Sequence, residues 1–251
     1  MNSVTGIIGA MPEEISEITK MLDNRSEIEL GGRTYHKGTI NGQQVIVVFS
    51  RWGKVAAATT ATTLLLSFRA TELIFTGVAG AVSPLLNIGD IVIGKRFFQH
   101  DMDCSPILPR FEIPLLGLTH IVCSDENLNR AQLAAERALH RHNIESIIMN
   151  SRFVNASNNL PRVFIGDIAS GDKFVSSTRE RKAIAKALPS VLCVEMEGAA
   201  VAQVCYEQQV PFTIIRTISD VADESAHIDF QTFINDVSSK IAAQVIREMF
   251  F

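Results

Sequence analysis

Apolar residues in this chain form short continuous runs that alternate with segments of helical spacing. A continuous apolar run of roughly four to eight residues, rich in β-branched side chains and bounded by turn residues, is typical of a buried strand. Asn41 and Gly42 separate two such runs and indicate a hairpin. The predicted strands cover residues 4–8, 33–39, 45–49, 72–78, 90–93, 163–169, 191–194 and 210–215.

Helical patterns fill much of the sequence between these runs. Pro12, followed by Glu13 and Glu14, suits a first helical turn, where a missing N–H costs nothing and acidic side chains are favoured. The predicted helices cover residues 12–22, 54–66, 126–142, 178–188, 196–208 and 230–250. Strands that alternate with helices predict one α/β domain over residues 1–251, a sandwich around a central sheet.

Two segments fit neither pattern. Residues 100–118 contain Pro106, Pro109 and Pro114, which predict an ordered loop or lid. Residues 143–162 are polar and rich in asparagine, which suggests an insertion within the domain.

Composition restricts the classes of partner. The chain has 251 residues, of which 47% are hydrophobic, and a formal net charge of −4, so neither a nucleic acid nor an anionic membrane is an expected partner. The four cysteines lack the spacing of a zinc site or disulfide framework, and no metal is expected. No apolar stretch is long enough to cross a bilayer and no leader pattern is seen, so a cytoplasmic location is expected.

The polar segment 216–223 follows the last apolar run. It places Arg216, Asp220 and Asp223 where a core strand is predicted to end, and open α/β sheets bind ligands at such ends. A buried aspartate is a candidate proton donor, because burial raises a carboxyl pKa. A strand-terminal salt bridge with a helix N-cap explains the same residues equally well.

Two further segments point to one family. They are Gly-Ala-Met-Pro-Glu-Glu at residues 9–14 and Val-Glu-Met-Glu-Gly-Ala-Ala at residues 194–200. Together with Ser-Asp-Val-Ala-Asp at residues 219–223, they resemble the 5′-methylthioadenosine/S-adenosylhomocysteine nucleosidases of the nucleoside phosphorylase superfamily. The resemblance implies a three-layer αβα fold with a mixed sheet, a homodimer, and a small nucleoside as substrate, with no cofactor.

The resemblance also implies roles for single residues. Asp220 would protonate the purine and Glu14 would activate the attacking water, with Arg216 close by. Glu197 would bind the ribose hydroxyls, whereas Glu195 better fits a buried ion pair. The remaining predicted substrate contacts are Met11, Trp52, Val78, Ala79, Phe174, Val175, Met196 and Phe230.

This chain departs from the usual family pattern at three places. Val78 stands where the family usually has a serine, and Arg51 and Trp52 replace small residues beside the expected 5′-substituent pocket. The segment after Asp103 also differs, in the region that meets the second subunit in the family. These departures affect the 5′ end of the substrate more than the purine.

Three other functions fit parts of the pattern. A purine nucleoside phosphorylase also carries a Glu-Met-Glu segment, but a phosphate nucleophile needs cations where residues 9–14 place anions. A hydrolase of a related nucleoside, such as aminodeoxyfutalosine, is a second alternative. A non-catalytic nucleoside-binding protein is a third, against which Glu14, Glu197 and Asp220 argue.

Overall fold

A computed structural model of the chain describes residues 3–141, 144, 147, 160–223 and 230–251. In this part of the chain, ten strands form one mixed sheet. The strands are β1 (Val4–Gly9), β2 (Asp23–Leu30), β3 (Arg33–Ile40), β4 (Gln43–Phe49), β5 (Glu72–Ala81), β6 (Ile91–Gln99), β7 (Ile121–Val122), β8 (Val163–Ser170), β9 (Val191–Glu195) and β10 (Phe212–Asp220). The helices are α1 (Pro12–Lys20), α2 (Lys54–Ser67), α3 (Asp125–Arg141), α4 (Thr178–Ala187), α5 (Gly198–Gln208), α6 (Phe230–Phe233) and α7 (Ser239–Met249), with a π-helical turn, Ile234–Ser238, between the last two.

One half of the sheet closes on itself. The strand order is β10-β6-β8-β9-β5-β1-β4-β3-β2, and β10 also pairs with β5, so five strands form a ring. Strands β1, β4, β3 and β2 extend from β5 as an open sheet, and the short strand β7 pairs with β6. Parallel and antiparallel pairs both occur, which confirms the predicted mixed sheet.

Both faces of the sheet are covered by helices. Successive residues of a strand point to opposite faces. In β1 two successive residues, Ile7 and Ile8, are both fully buried. Ile7 joins a cluster with Ile15 and Ile18 of α1 and Ile246 of α7, whereas Ile8 joins the larger core on the other face. A strand buried on both faces is apolar throughout, which explains its short continuous run. Helices α1, α3 and α7 pack as one group and α2 with α5 as another.

Most of the predicted elements are confirmed. The short strand β7 was not predicted, β6 was expected to end at residue 93 but continues to Gln99, and the single helix expected over residues 230–250 is divided by the π-helical turn. Strand β2 is not recognised from the sequence because all of its residues are exposed and most are polar, with Ile28 and Leu30 as its apolar side chains. Strand β10 was expected to end at residue 215 but continues to Asp220. Arg216 therefore lies inside this strand, where a buried partner compensates its charge.

The proline-containing segment 100–118 contains no helix or strand, as predicted. Most of the suggested insertion at residues 143–162 lies outside the described residues. Across the described part of the chain, no helix has the length and apolar character that a membrane crossing requires.

Candidate active site

A cavity of about 370 Å³ opens where β1, β5, β9 and β10 end. Three of these strand ends each bring one carboxylate to it: Glu14 lies in the first turn of α1 after β1, Glu197 lies between β9 and α5, and Asp220 is the last residue of β10. The cavity is lined by Ala10, Met11, Glu14, Trp52, Val78, Ala79, Gly80, Lys173, Phe174, Val175, Val194, Glu195, Met196, Glu197, Ser219 and Asp220.

Glu14 is held by backbone donors at the start of α1. Its Oε2 accepts from the N–H groups of Ala10, at 2.6 Å, and Met11, at 3.0 Å. Its Oε1 accepts from the Val78 N–H at 3.1 Å. Burial raises the pKa of Glu14 above its usual value, against the Arg216 charge and these three N–H donors. The result is an oriented carboxylate with increased basicity.

Asp220 ends β10 and is also buried. Its Oδ1 accepts from the Ala222 N–H and its Oδ2 from the Ser219 hydroxyl, each at 2.7 Å. Burial raises the pKa of Asp220, against these two bonds, and the nearby Asp223 charge raises it further. A raised pKa favours the protonated form, which a proton donor requires.

Arg216 forms a buried ion pair with Glu195. The arginine is only 1% exposed, and its Nε and Nη2 both donate to Glu195 Oε2. Burial lowers the pKa of Arg216, but the charges of Glu195, Glu197 and Glu14 raise it above its usual value, so it remains a cation. The ion pair expected for Glu195 is present. The described hydrogen bonds of Arg216 go to Glu195 rather than to Glu14, which it influences through its charge.

Glu197 lies beside this ion pair at the start of α5. Its Oε1 accepts from the Gly53 N–H at 2.8 Å. Burial, followed by repulsion from Glu195, raises the pKa of Glu197 to about 8, against Arg216 and the Gly53 N–H. Both glutamates flanking Met196 line the cavity, but Glu195 accepts from Arg216 and also from the Ser170 hydroxyl and the Gly198 N–H, whereas the described hydrogen bond of Glu197 comes from Gly53.

Two glycines in β5 allow the carboxylates to approach the strand. A Cβ at Gly77 would lie 2.6 Å from Glu14 Oε1 and 3.0 Å from Arg216 Nη1. A Cβ at Gly80 would lie 2.8 Å from Asp220 Oδ1. Three residues of strand span ~10 Å, so Glu14 and Asp220 approach β5 at two separate points along the strand.

The structure brings most of the predicted site residues together. Those that line the cavity are Met11, Glu14, Trp52, Val78, Ala79, Phe174, Val175, Met196, Glu197 and Asp220. Arg216 lies behind them, against Glu195. Phe230 begins α6, but its side chain lies outside what the structure describes.

Two contributors were not found from sequence. The Gly53 N–H that binds Glu197 is a backbone group and leaves no mark in sequence. The Ser219 hydroxyl that bonds Asp220 lies next to it in the chain, and that adjacency was the available signal. Among the described residues, no group of three or more His, Cys, Asp or Glu side chains is arranged to hold a metal ion.

Comparison with known proteins identifies the class. The sequence profile of the phosphorylase superfamily matches residues 4–250. The chain therefore belongs to the phosphorylase superfamily.

Similar proteins within that class include nucleosidases. The chain is 36% identical to the aminodeoxyfutalosine nucleosidase of Helicobacter pylori, over 97% of this chain and 96% of that one. It is 35% identical to the 5′-methylthioadenosine/S-adenosylhomocysteine nucleosidase of Psychromonas ingrahamii, with the same coverage. The crystal structure of such a nucleosidase from Neisseria meningitidis, in complex with methylthio-immucillin-A, superimposes with a TM-score of 0.85, 31% identity and 98% coverage of each chain. The chain is thus a hydrolase of the methylthioadenosine/S-adenosylhomocysteine nucleosidase family.

Proposed function

We propose that the protein hydrolyses the N-glycosidic bond of 5′-methylthioadenosine, S-adenosylhomocysteine or both, releasing adenine and a 5′-thio-substituted ribose. The observation that carries this proposal is the meeting of Glu14, Glu197 and Asp220 around one largely apolar cavity. The names of the relatives at 33–35% identity support the substrate class.

Asp220 is proposed as the general acid. Cleavage leaves the electrons of the glycosidic bond on the purine, which departs as a neutral base once a ring nitrogen is protonated. Asp220 has a raised pKa and supplies that proton to N7. Phe174 and Val175 line the cavity on the loop before α4, where they are proposed to contact the base.

Glu14 is proposed as the general base. It accepts a proton from water as the water oxygen bonds to C1′ of the sugar. Arg216 Nη1 is buried and has no hydrogen-bond partner among the described residues, and it lies near Glu14 at Gly77. It is therefore a donor available to the same water.

Glu197 is proposed to bind the ribose 2′- and 3′-hydroxyls. It faces the cavity, and adjacent hydroxyls are natural partners of one carboxyl group. The sugar gains positive charge as the bond breaks, which favours the ionised form of Glu197 and stabilises the transition state.

Charge at the site favours water over phosphate as the nucleophile. Arg51 is a cation close to this region in sequence and could attract phosphate, but its Nη2 donates to the Gly32 carbonyl at 2.8 Å and it does not line the cavity. Arg216 is already paired with Glu195. A phosphate beside Glu14 would thus meet negative charge with little compensation.

Aminodeoxyfutalosine is a second candidate substrate. The relative at 36% identity carries that activity in its name. It presents the same leaving group, adenine, so Glu14 and Asp220 would act in the same way. The difference lies at the 5′ end of the nucleoside.

One assay tests these proposals. Adenine release is measured from methylthioadenosine, S-adenosylhomocysteine and aminodeoxyfutalosine, each with and without phosphate and with a chelator. Release without phosphate and unaffected by the chelator is expected. A strict phosphate requirement or inactivation by the chelator contradicts hydrolysis without metal, and release from aminodeoxyfutalosine alone shifts the substrate to the second candidate.

A further inference from the structure

The side chain of Glu197 is oriented by one backbone donor. Among the described residues, its hydrogen bond comes from the Gly53 N–H, at 2.8 Å. Gly53 immediately precedes α2, so the position of the N-terminus of this helix sets where that donor lies. A carboxyl group with a single fixed bond depends on that bond for its orientation.

The N-terminus of α2 is held from outside the helix. Gly53 has no side chain to cap the first turn, and the Lys54 N–H donates instead to Asp172 Oδ1, at 2.7 Å. Asp172 belongs to the loop after β8 and is far away in sequence. The cap is therefore supplied by a tertiary contact.

The Lys54 side chain completes the attachment. Its Nζ lies 2.6 Å from Asp101 Oδ1 and 3.2 Å from Gln99 Oε1. The Asp172 N–H donates to the other Asp101 oxygen, Oδ2, at 2.9 Å. We call Lys54, Asp101 and Asp172 the Lys54 clasp, because these three residues join the start of α2, the end of β6 and the loop before Phe174.

The contacts of the clasp are suited to orienting the backbone and do more than keep charged groups at the surface. The Lys54 side chain is 15% exposed and that of Asp101 is 33% exposed, so this pair is less screened by water than a free surface pair. Both carboxylates accept a backbone N–H as well as approaching the Lys54 ammonium. Such closure fixes the backbone around Gly53.

We propose that Lys54, Asp101 and Asp172 are positioning residues that orient Glu197 toward the ribose hydroxyls through the backbone N–H of Gly53. This inference rests on the proposed function, because it assumes that Glu197 binds those hydroxyls. The clasp touches no reacting atom. Its loss would impair recognition of the ribose and spare recognition of the base.

A pair of substrates isolates that effect. The test compares methylthioadenosine with its 2′,3′-dideoxy analogue, which has no hydroxyls for Glu197 to bind. In Lys54→Met, kcat/KM for methylthioadenosine is expected to fall roughly tenfold, mostly through KM, which corresponds to the partial loss of one hydrogen bond to a charged group. For the dideoxy analogue, wild type and variant are expected to agree within about twofold.

Two variants of Asp172 keep the test informative if Lys54→Met folds poorly. Asp172→Ala removes the cap of α2 and is expected to repeat the substrate-dependent loss. Asp172→Asn retains an acceptor oxygen for the Lys54 N–H and is expected to restore kcat/KM. Lys20→Met, which removes an exposed ion pair with Glu17, is the matched control. It should leave kcat/KM unchanged for both substrates.

The outcomes separate the two proposals. Equal losses on both substrates, or no loss on either, overturn the clasp while leaving hydrolysis intact. Wild-type protein that releases no adenine overturns the proposed function. In that case calorimetry tests the clasp, by measuring the binding of formycin A, an uncleaved C-nucleoside, and of its 2′,3′-dideoxy form. If Lys54→Met binds formycin A more weakly than wild type does but binds the dideoxy form equally well, the clasp is supported. Any other pattern rejects it.

Discussion

Two of the cavity carboxylates, Glu14 and Asp220, have different hydrogen-bond partners and neighbouring charges. Glu14 receives three backbone N–H donors, which favour a negative charge. The pKa of Asp220 is raised by burial and by the neighbouring Asp223, which favours the protonated form. Burial raises the pKa of both Glu14 and Asp220, so their proposed roles differ through their partners: Arg216 lies near Glu14, whereas a second carboxylate, Asp223, lies near Asp220.

Replacing Glu14 tests the base. Glu14→Gln is expected to fold and to lose turnover by roughly 10²–10⁴, because an amide cannot take a proton from water. Steady-state kinetics measure the loss, and circular dichroism checks the fold. Glu13→Gln, the adjacent and less buried position, is the control and should keep its activity; near-full turnover in Glu14→Gln would falsify the role.

Replacing Asp220 tests the acid. Asp220→Asn still offers hydrogen bonds but no transferable proton, so turnover should fall by roughly 10²–10⁴ while nucleoside binding changes much less. Kinetics and calorimetry with formycin A separate these effects. A variant that binds poorly but turns over bound substrate normally would contradict the assignment.

Glu197 gives a prediction about stability and pH. Its pKa is raised to about 8 in the folded protein from an ordinary value of about 4.5 in the unfolded chain. The folded state therefore retains a proton that the unfolded state loses, so stability contributed by Glu197 is complete below about pH 4.5 and is lost as pH rises to about 8. Glu197→Gln should reduce this decline in urea midpoints measured from pH 5 to pH 9. If wild type and Glu197→Gln show parallel pH profiles, Glu197 does not titrate in this range; Glu13→Gln serves as the reference.

At the scale of elements, the turn between β4 and α2 distinguishes this chain from its family. Trp52 lies in this turn at the cavity and is 61% exposed, so its indole stands at the mouth. Arg51 turns away to bind the Gly32 carbonyl and is not placed to pair with a carboxylate in the cavity. The turn therefore presents bulk rather than charge to the 5′ end of a substrate.

We expect Trp52 to favour short 5′ groups. Methylthioadenosine should have a higher kcat/KM than S-adenosylhomocysteine, whose amino-acid tail must pass the indole. Trp52→Ile should narrow the ratio of the two values, and Trp52→Phe, which keeps an aromatic ring, should preserve most of it. A wild-type preference for S-adenosylhomocysteine, or a ratio unmoved by Trp52→Ile, would show that the indole does not set specificity.

The helices and strands also differ in how readily they are predicted from the sequence. Strand β1 was predictable, because burial on both faces requires an apolar run. Strand β2 was not predictable, since its residues are exposed and it is held in the sheet by its pairing with β3. The end of β10 is not predictable from the sequence, because a charged residue such as Arg216 usually ends a buried strand. Here Arg216 stays inside the strand because Glu195 lies beside it.

At the scale of the whole molecule, apolar surface beside the cavity suggests a partner. The proline-containing segment is rich in apolar residues, and part of it packs internally: Ile113 is buried and Leu116 contacts the core. Ile107 and Leu115 remain 87% and 98% exposed. Lys54 connects the start of this segment to α2 through Asp101.

We predict a homodimer that covers this segment. Sedimentation velocity at micromolar concentration should show a dimer, because burying exposed apolar side chains drives association. Ile107→Asp combined with Leu115→Asp should weaken it, whereas Leu133→Asp, at an exposed apolar position on α3, should not. A monomeric wild type would reject the prediction.

The sequence by itself determined the order and type of most elements and indicated Glu14, Glu197 and Asp220, because apolar periodicity and short motifs are local properties of the chain. Only the tertiary structure decided that Arg216 pairs with Glu195, that β10 closes the ring against β5, and that Gly53 orients Glu197. These contacts join residues far apart in sequence. Their partners depend on which segments meet in the fold, and the burial that shifts their pKa values exists only once those segments have met.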